Sequence, residues 1–146
     1  MRETPRPEPE SAAPLTVLIV DDDPDMRLYV RRCLAYLGKS VGRVLEAEDG
    51  REALSLLQTN VVHLVITDVI LPHLDGRSLS RAIKGDPRKR DISVLMISGE
   101  ESDAAARDTA DGFLAKPFNA QQLREAVDKL PLRPPRPPPS GPNGPD

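Results

Sequence analysis

The sequence predicts an α/β sandwich in which helices cover both faces of a five-stranded parallel sheet. Five short apolar runs, most of them rich in β-branched residues, are typical of strands and occupy residues 15–20, 43–47, 62–67, 92–97 and 112–115. Segments with apolar residues at helical spacing alternate with these runs. Because the stronger runs are apolar on both faces and the strand–helix order repeats five times, we expect parallel strands joined by right-handed crossovers.

Four helices are predicted by stripes of apolar residues and by residues that begin or end a helix. Asp23 is a suitable N-cap, Pro24 suits the first helical position, and Gly38 ends the first helix. The second helix begins after Gly50 and the third after Gly76. The apolar positions of the first, second, third and last helices are Met26, Val30, Cys33, Leu34 and Leu37; Ala53, Leu56 and Leu57; Leu79, Ala82 and Ile83; and Leu123, Ala126, Val127 and Leu130.

The segment between the fourth and fifth apolar runs, residues 99–111, differs from the other connections. It contains alanines that favour a helix, but no Leu, Ile, Val, Met or aromatic residue. Each large aliphatic side chain that a helix buries contributes about 1.5–3 kcal/mol to stability, and this segment has none to bury. We therefore expect a shortened fourth helix of at most about two turns that packs weakly on the sheet.

The composition excludes several classes of function. A net charge of −3 gives no general attraction to nucleic acid or to an anionic membrane. Cys33 is the single cysteine, so no intrachain disulfide can form, and a reduced cytoplasmic location fits best. No apolar run reaches the roughly 18 residues of a membrane-spanning helix, and the N-terminus lacks the apolar stretch of a signal peptide. We expect neither a nucleic-acid nor a membrane partner.

Prolines mark the boundaries of a single domain. Of the 16 prolines, four lie in residues 1–14 and eight in residues 131–146. Both segments are too poor in apolar residues to build a core, so we expect two disordered tails around a domain at residues 15–130. The second tail contains P-x-x-P spacings that suit an aromatic groove, although a solvated tail is the favoured interpretation.

Polar residues follow four of the five predicted strands. Asp21 and Asp22 follow the first strand, Asp68 the third, Ser98 the fourth and Lys116 the fifth. In an open parallel sheet the carboxyl ends of the strands meet at one edge, and ligands bind there. Each residue taken alone also fits a loop or a helix cap, but their joint placement favours a single site.

The run of Asp21, Asp22 and Asp23 needs a compensating charge. Two carboxylates about 4 Å apart repel by roughly 4 kcal/mol at an effective dielectric constant near 20. Asp23 is explained as a helix N-cap, but a cap does not account for all three residues. Clustered carboxylates suit Mg²⁺, which prefers oxygen ligands and retains several waters. That cation and Lys116 would offset the repulsion and would also neutralise an incoming phosphoryl group.

The motifs at the strand ends resemble those of the receiver domain of bacterial response regulators. They are V-D-D after the first strand, D-x-x-x-P-x-x-D-G after the third, a Ser or Thr after the fourth and K-P-F after the fifth. The resemblance extends over residues 15–130. It implies a doubly wound, flavodoxin-like (βα)5 sandwich whose parallel strands follow the order 2-1-3-4-5.

The resemblance also implies roles for the acidic residues. Asp68 would be the phosphoacceptor, and the chemistry fits this role, because a carboxylate is a usable nucleophile on phosphorus and the acyl phosphate that it forms is labile. Asp22, Asp68 and the backbone carbonyl of Ile70 would bind Mg²⁺ directly, and Asp21 would act through a water molecule. Ile70 stands where the family often has Met, which leaves the lifetime of the phosphoryl group open.

Three further positions match the family by the same resemblance. Ser98 would donate a hydrogen bond to the phosphoryl group, and Lys116 would form an ion pair with it. Phe113 would be the aromatic residue that changes position when Ser98 moves towards the phosphoryl oxygens. The Lys116–Pro117 peptide bond would be cis, a state that only about 5–6% of X–Pro bonds adopt in folded proteins.

The function that the resemblance implies is a phosphorylation-activated switch of a two-component or phosphorelay system. A histidine kinase or a histidine phosphotransfer protein would supply the phosphoryl group, and the output would be a contact with a downstream protein. Beyond its own phosphorylation and dephosphorylation, no enzyme activity is expected. Because no effector domain follows Leu130, we interpret the chain as a stand-alone receiver domain.

Two alternatives stay open at this point. Haloacid dehalogenase-type phosphatases also combine an Asp nucleophile, Mg²⁺, Ser or Thr, and Lys, but Pro24 and Asp25 interrupt the pattern that should continue from Asp21. A phosphorylation-independent binding module would instead be expected to have lost part of the acidic site.

The connection from Ser98 to Lys116 is also about one helical turn shorter than usual in receiver domains.

Overall fold

The computed structural model describes residues 14–99 and 109–132. The predicted fourth helix falls largely on residues 100–108, and the two predicted tails fall largely on residues 1–13 and 133–146, all of which lie outside the described residues. The strands are β1 (Leu15–Val20), β2 (Val41–Ala47), β3 (Leu64–Asp68), β4 (Ser93–Ser98) and β5 (Gly112–Ala115). The α-helices are α1 (Pro24–Cys33), α2 (Gly50–Thr59), α3 (Gly76–Gly85) and α4 (Ala120–Asp128).

The five strands form one parallel sheet in the order β2-β1-β3-β4-β5. Strand β1 pairs with β2 on one side and with β3 on the other, so the chain reverses its direction of winding after β2. This confirms both the predicted α/β sandwich and the predicted strand order. None of the helices in the described residues has the length and apolar composition that a membrane crossing requires.

Each face of the sheet carries its own apolar core. Leu15, Val17 and Ile19 of β1 pack with residues of α1 and α4. Leu18 and Val20 point to the opposite face and pack with residues of α2 and α3, because successive side chains of a strand alternate between faces. The central strands are therefore buried on both sides, as the continuous apolar runs predict.

The strand limits differ from the prediction where polar residues join the sheet. Strands β1 and β5 begin and end as predicted, whereas β3 and β4 each start and end later along the chain. Asp68 pairs with Ile97, and Ser98 pairs with Ala115, as regular members of the sheet. Main-chain hydrogen bonding, which does not depend on apolar side chains, extends these strands to their polar ends.

The first helix starts as predicted but ends differently. Asp23 caps it through a 2.9 Å hydrogen bond that its carboxylate accepts from the Asp25 N–H. After Cys33 the chain tightens into one turn of 3₁₀-helix, Leu34–Tyr36, before Gly38 ends the segment with a φ of 76°. Leu34 and Leu37 stay buried, so the apolar stripe continues although the helix type changes.

Residues 109–111, which precede β5, contact α3 and β4. The hydroxyl of Ser80 donates a hydrogen bond to the Thr109 carbonyl. Asp111 bonds Val94 twice, through its own N–H and through its carboxylate, at 3.0 and 2.8 Å. Lys84 forms a 2.6 Å ion pair with the same carboxylate. These contacts set the position at which β5 begins.

Gly76 lets α3 begin directly against the end of β3. A Cβ atom at this position would lie 2.2 Å from the carbonyl oxygen of Asp68 and 3.0 Å from the sulfur of Met96. The Gly76 N–H also donates a 2.8 Å hydrogen bond to the carbonyl of Val69. The nearest atom is main chain, which cannot move aside as a flexible side chain would.

Substituting Gly76→Ala should therefore destabilise the fold. We expect a loss of about 1–3 kcal/mol or more in the free energy of unfolding, since overpacking forces the backbone to shift. Gly85→Ala, at the other end of the same helix, is the matched control because a Cβ there meets nothing within 4 Å. It should leave stability unchanged or raise it by up to about 1 kcal/mol. Urea denaturation measures both; equal effects would contradict the close approach at Gly76.

Candidate functional site

The topology brings all the predicted polar strand ends to one edge of the sheet. Asp21 and Asp22 come directly after β1, and Asp68 is the last residue of β3. Ser98 is the last residue of β4, and Lys116 comes directly after β5. Since the strands are parallel, these ends meet at the carboxyl edge of the sheet, as the sequence predicts.

Three carboxylates form a cluster at this edge. Asp21, Asp22 and Asp68 each offer an oxygen atom, and these three atoms lie within 4.8 Å of one another. Asp21 is only 5% exposed, Asp68 is half-buried and Asp22 is exposed. The cluster therefore extends from the protein interior to solvent, where a ligand can reach it.

The carboxylate of Asp68 is held by two different contacts. Its Oδ1 atom accepts a 2.8 Å hydrogen bond from the Val69 N–H. Its Oδ2 atom lies 3.2 Å from the Nζ atom of Lys116, and both side chains are largely buried. Asp68 is thus fixed in orientation with one oxygen facing a positive charge.

Asp21 is the most buried carboxylate of the cluster. Burial raises the pKa of Asp21 from its ordinary value near 3.8 to about 6, and the charges of Asp68 and Asp22 act in the same direction. A 2.9 Å hydrogen bond from the Asp23 N–H and the charge of Lys116 oppose this increase without cancelling it. The repulsion predicted from the sequence is therefore present in the folded protein.

The arrangement suits a hard divalent cation. The cluster offers only oxygen atoms, its members are close enough to share one ion, and Lys116 alone does not balance their charge. Ile70 lies two residues after Asp68 in the loop that precedes α3, and the residue is 71% exposed. The expected role of Ile70 involves only its backbone carbonyl, and it stays a prediction.

Ser98 and Phe113 flank the cluster through neighbouring strands. Ser98 is 3% exposed, and its carbonyl accepts a 2.9 Å hydrogen bond from the Lys116 N–H. Phe113 is half-buried and packs with Val69 and Met96. Val69, one of the two residues of that buried apolar cluster, directly follows Asp68, the predicted phosphoacceptor. The Lys116–Pro117 peptide bond is cis, as expected.

One network beside the cluster was not predicted. The guanidinium of Arg31 on α1 lies 2.6 Å from the carboxylate of Glu46, near the end of β2. Arg27, one turn earlier on α1, bonds the same carboxylate at 2.7 Å. The i, i+4 spacing of the two arginines shows from the sequence alone that they lie on the same face of the helix. The sequence does not show that this face lies against Glu46 of β2.

The comparisons with known proteins agree with this geometry. The family model described as "Response regulator receiver domain" matches residues 17–128, which lie within the predicted domain. The chain belongs to this family. It is a receiver domain, and hence a phosphorylation-activated signalling switch of the two-component type. The match favours a receiver domain over the phosphatase alternative.

Relatives of this receiver domain occur both as small proteins and as parts of large ones. It is 34% identical over 120 residues to the chemotaxis protein CheY of Pseudomonas aeruginosa, covering 80% of this chain and 95% of that protein. It is also 34% identical over 119 residues to histidine kinase P4 of Formosa agariphila, covering 79% of this chain but 8% of that protein.

A solved structure supports the same fold. The chemotaxis response regulator CheY4 of Vibrio cholerae superposes with a TM-score of 0.71 at 30% sequence identity, covering 80% of this chain and 98% of that one. The receiver-domain fold and its five-stranded sheet are thus shown by sequence and by structure.

The raised pKa of Asp21 predicts a change in stability. A carboxyl group whose pKa is higher in the folded state stabilises the fold only below its unfolded pKa, and this stability is lost as pH rises to about 6. Asp21→Asn removes the charge and retains an acceptor for the Asp23 N–H. Without divalent cations, the variant should therefore be more stable at neutral pH by about 1–3 kcal/mol, at about 1.4 kcal/mol per pKa unit.

The gain should shrink as pH falls from about 6 towards 4, where wild-type Asp21 becomes protonated. Urea denaturation over this pH range measures the difference. Asp25→Asn is the matched control because it removes one exposed carboxylate outside the cluster. A loss of stability in Asp21→Asn at neutral pH would show that the charged form is favoured instead.

Proposed function

We propose that this receiver domain accepts a phosphoryl group on Asp68 from a histidine kinase or a histidine phosphotransfer protein. The observation that carries the proposal is the position of the Asp68 carboxylate. It stands at the end of β3, 3.2 Å from the ammonium group of Lys116 and beside two further carboxylates. A nucleophile, a cation and a candidate metal site thus share one sheet edge.

The proposed transfer needs little covalent chemistry from the protein. An oxygen of Asp68 attacks the phosphorus of a phosphohistidine; the new P–O bond forms as the P–N bond breaks, and the released imidazole takes a proton. The ionised carboxylate requires no separate general base. Lys116 attracts the negative phosphoryl oxygens as they approach Asp68, and orientation with charge stabilisation supplies most of the catalysis.

The residues of the cluster are proposed to hold Mg²⁺. Asp22, Asp68 and the backbone carbonyl of Ile70 would be direct ligands, and Asp21 would act through a water molecule. When bound, the ion supplies positive charge that neutralises the phosphoryl oxygens. The geometry supports this assignment, since Asp21, Asp22 and Asp68 bring three carboxylate oxygens within 4.8 Å of one another, and burial together with the charges of Asp68 and Asp22 raises the pKa of Asp21.

Ser98 and Phe113 are proposed to carry the signal away from Asp68. In this proposal the Ser98 hydroxyl moves towards the phosphoryl oxygens, and Phe113 moves into the space that Ser98 leaves. The packing of Phe113 against the cluster formed by Val69 and Met96 supports a coupling, because Val69 adjoins Asp68. The altered surface would include β5 and α4, and a downstream protein would bind it.

The remaining expectations concern the setting of the domain. Residues 15–130 are proposed as the functional unit, consistent with the family match at residues 17–128. The lone Cys33, which is buried, supports a reducing cytoplasmic location. Since the net charge is −3, nothing favours a nucleic-acid partner over a protein.

Labelling with a small phosphodonor tests the proposal. Incubation with acetyl phosphate and Mg²⁺ should add one phosphoryl group, stable to acid and labile to base, and Asp68→Asn should abolish labelling. Asp75→Asn is the matched control: Asp75 follows the same strand, but its side chain caps α3 by accepting from the Ser78 N–H, a role that Asn also fills.

Mass spectrometry of the intact protein reads out the result. Continued labelling of Asp68→Asn would move the nucleophile to another residue, with Asp21 and Asp22 as the first to examine. An unlabelled wild-type protein that also stays unlabelled with phosphorylated histidine donors would favour the phosphorylation-independent binding module.

A further inference from the structure

We propose that Arg27 is a positioning residue that fixes the direction of the Asp21 and Asp22 carboxylates by bonding the main chain between them. The inference rests on the proposed metal-dependent phosphorylation and adds a residue to it. Arg27 lies on α1, outside the carboxylate cluster and outside the motifs by which the sequence identifies the site.

The guanidinium of Arg27 joins two elements. Its Nη1 atom donates a 2.7 Å hydrogen bond to the main-chain carbonyl of Asp21. Its Nε atom donates a 2.7 Å hydrogen bond to Oε1 of Glu46, near the end of β2. The side chain is 14% exposed, so both bonds are largely shielded from solvent.

The Asp21 carbonyl is where regular sheet pairing stops. The last paired residue of β1 is Val20, opposite Thr67 of β3 and Ala47 of β2. The Asp21 N–H still bonds the Ala47 carbonyl at 3.1 Å. On the other side of the residue, a side chain bonds the carbonyl in place of a strand. The hydrogen bond from Arg27 thus holds the peptide group between residues 21 and 22, one beyond the last peptide group held by strand pairing.

That peptide group links the two carboxylates of the acidic pair. Asp21 is also held by the bond between its carboxylate and the Asp23 N–H at 2.9 Å. With the carbonyl bonded as well, the 21–22 peptide has little freedom to rotate. The side chains on either side of it then keep the separation that places their oxygens within 4.8 Å of Asp68.

Glu46 holds the guanidinium of Arg27 in the position from which it bonds the Asp21 carbonyl. Its other oxygen, Oε2, accepts hydrogen bonds from Arg31 at 2.6 and 3.0 Å. The bonds from Arg31 and Arg27 hold the pKa of Glu46 below its ordinary value, so Glu46 stays a charged acceptor at neutral pH. The planar guanidinium bonds Glu46 and the carbonyl at once, which the point charge of a lysine cannot reproduce.

Arg31 provides a matched control. It bonds the same carboxylate from the same helix, yet its hydrogen bonds go to Glu46 and not to the Asp21 carbonyl. If Arg27 only stabilised the packing of α1 on β2, Arg27→Ala and Arg31→Ala would have similar effects on the site. If Arg27 orients the acidic pair, only Arg27→Ala should impair metal binding and phosphorylation.

The experiment measures Mg²⁺ affinity by calorimetry and the rate of phosphorylation by acetyl phosphate in each variant, with urea denaturation as the measure of folding. Arg27→Ala should weaken Mg²⁺ binding and slow phosphorylation about 10- to 100-fold, the usual cost of losing a group that orients metal ligands. Arg31→Ala should retain wild-type values for both. Arg27→Lys should fold and show an intermediate loss.

Equal Mg²⁺ affinities in Arg27→Ala and Arg31→Ala would overturn the inference. If Arg27→Ala does not fold, the Mg²⁺ affinity of Arg27→Lys becomes the test. A wild-type Mg²⁺ affinity in Arg27→Lys would then overturn the inference. Failure of the proposed function is seen separately, as a wild-type protein that takes no phosphoryl group on Asp68. The Mg²⁺ affinities of the variants then test Arg27 on their own.

Discussion

The mutual repulsion of three carboxylates is the constraint on which the site depends. Asp21, Asp22 and Asp68 have oxygens within 4.8 Å of one another, and burial, with the charges of Asp68 and Asp22 added, raises the pKa of Asp21 to about 6. Two main-chain N–H groups and Lys116 offset part of this repulsion at 2.8–3.2 Å. The negative charge that remains would attract a cation and, together with that cation, a phosphoryl group. The same repulsion that opposes folding would therefore favour binding of the proposed Mg²⁺.

The rest of the fold holds these charges in place. The buried strands β1 and β3, with an apolar core on each face of the sheet, fix the positions of Asp21 and Asp68 at their ends. Gly50 and Gly76 allow two helices to start against main chain, at positions where a Cβ atom would lie 2.2 Å from a carbonyl oxygen. A close-packed surround of this kind moves little when charges repel. The carboxylates consequently stay close together and are not separated by small shifts.

Much of the fold and site was predictable because both depend on local patterns. The apolar runs that became β1 and β5 match the structure at both ends, and the Asp23 cap acts as expected. In a parallel sheet, the polar residues after each run must then share one edge. Correct strands were therefore enough to predict that Asp21, Asp68 and Lys116 meet.

The parts that sequence reasoning missed depend on pairs of residues far apart in the chain. Arg27 and Glu46 are brought together by the packing of α1 on β2, and no local pattern reports their 2.7 Å contact. Lys84 of α3 and Asp111, which directly precedes β5, are likewise distant in the sequence and meet only in the folded protein. The limits of β3 and β4 follow main-chain hydrogen bonds, which polar residues form as readily as apolar ones. Such features are determined by tertiary structure, so they cannot be predicted from the hydrophobic periodicity and secondary-structure propensity of the sequence.

The most direct test of this account is the stability of the protein as a function of Mg²⁺ concentration at neutral pH. If the carboxylates bind the ion in the folded state, the free energy of unfolding should rise by about 1.4 kcal/mol for each tenfold increase above the dissociation constant. Asp22→Ala, which removes a proposed direct ligand, should show a much smaller rise. A wild-type stability that does not depend on Mg²⁺, or an identical rise in both proteins, would contradict the account.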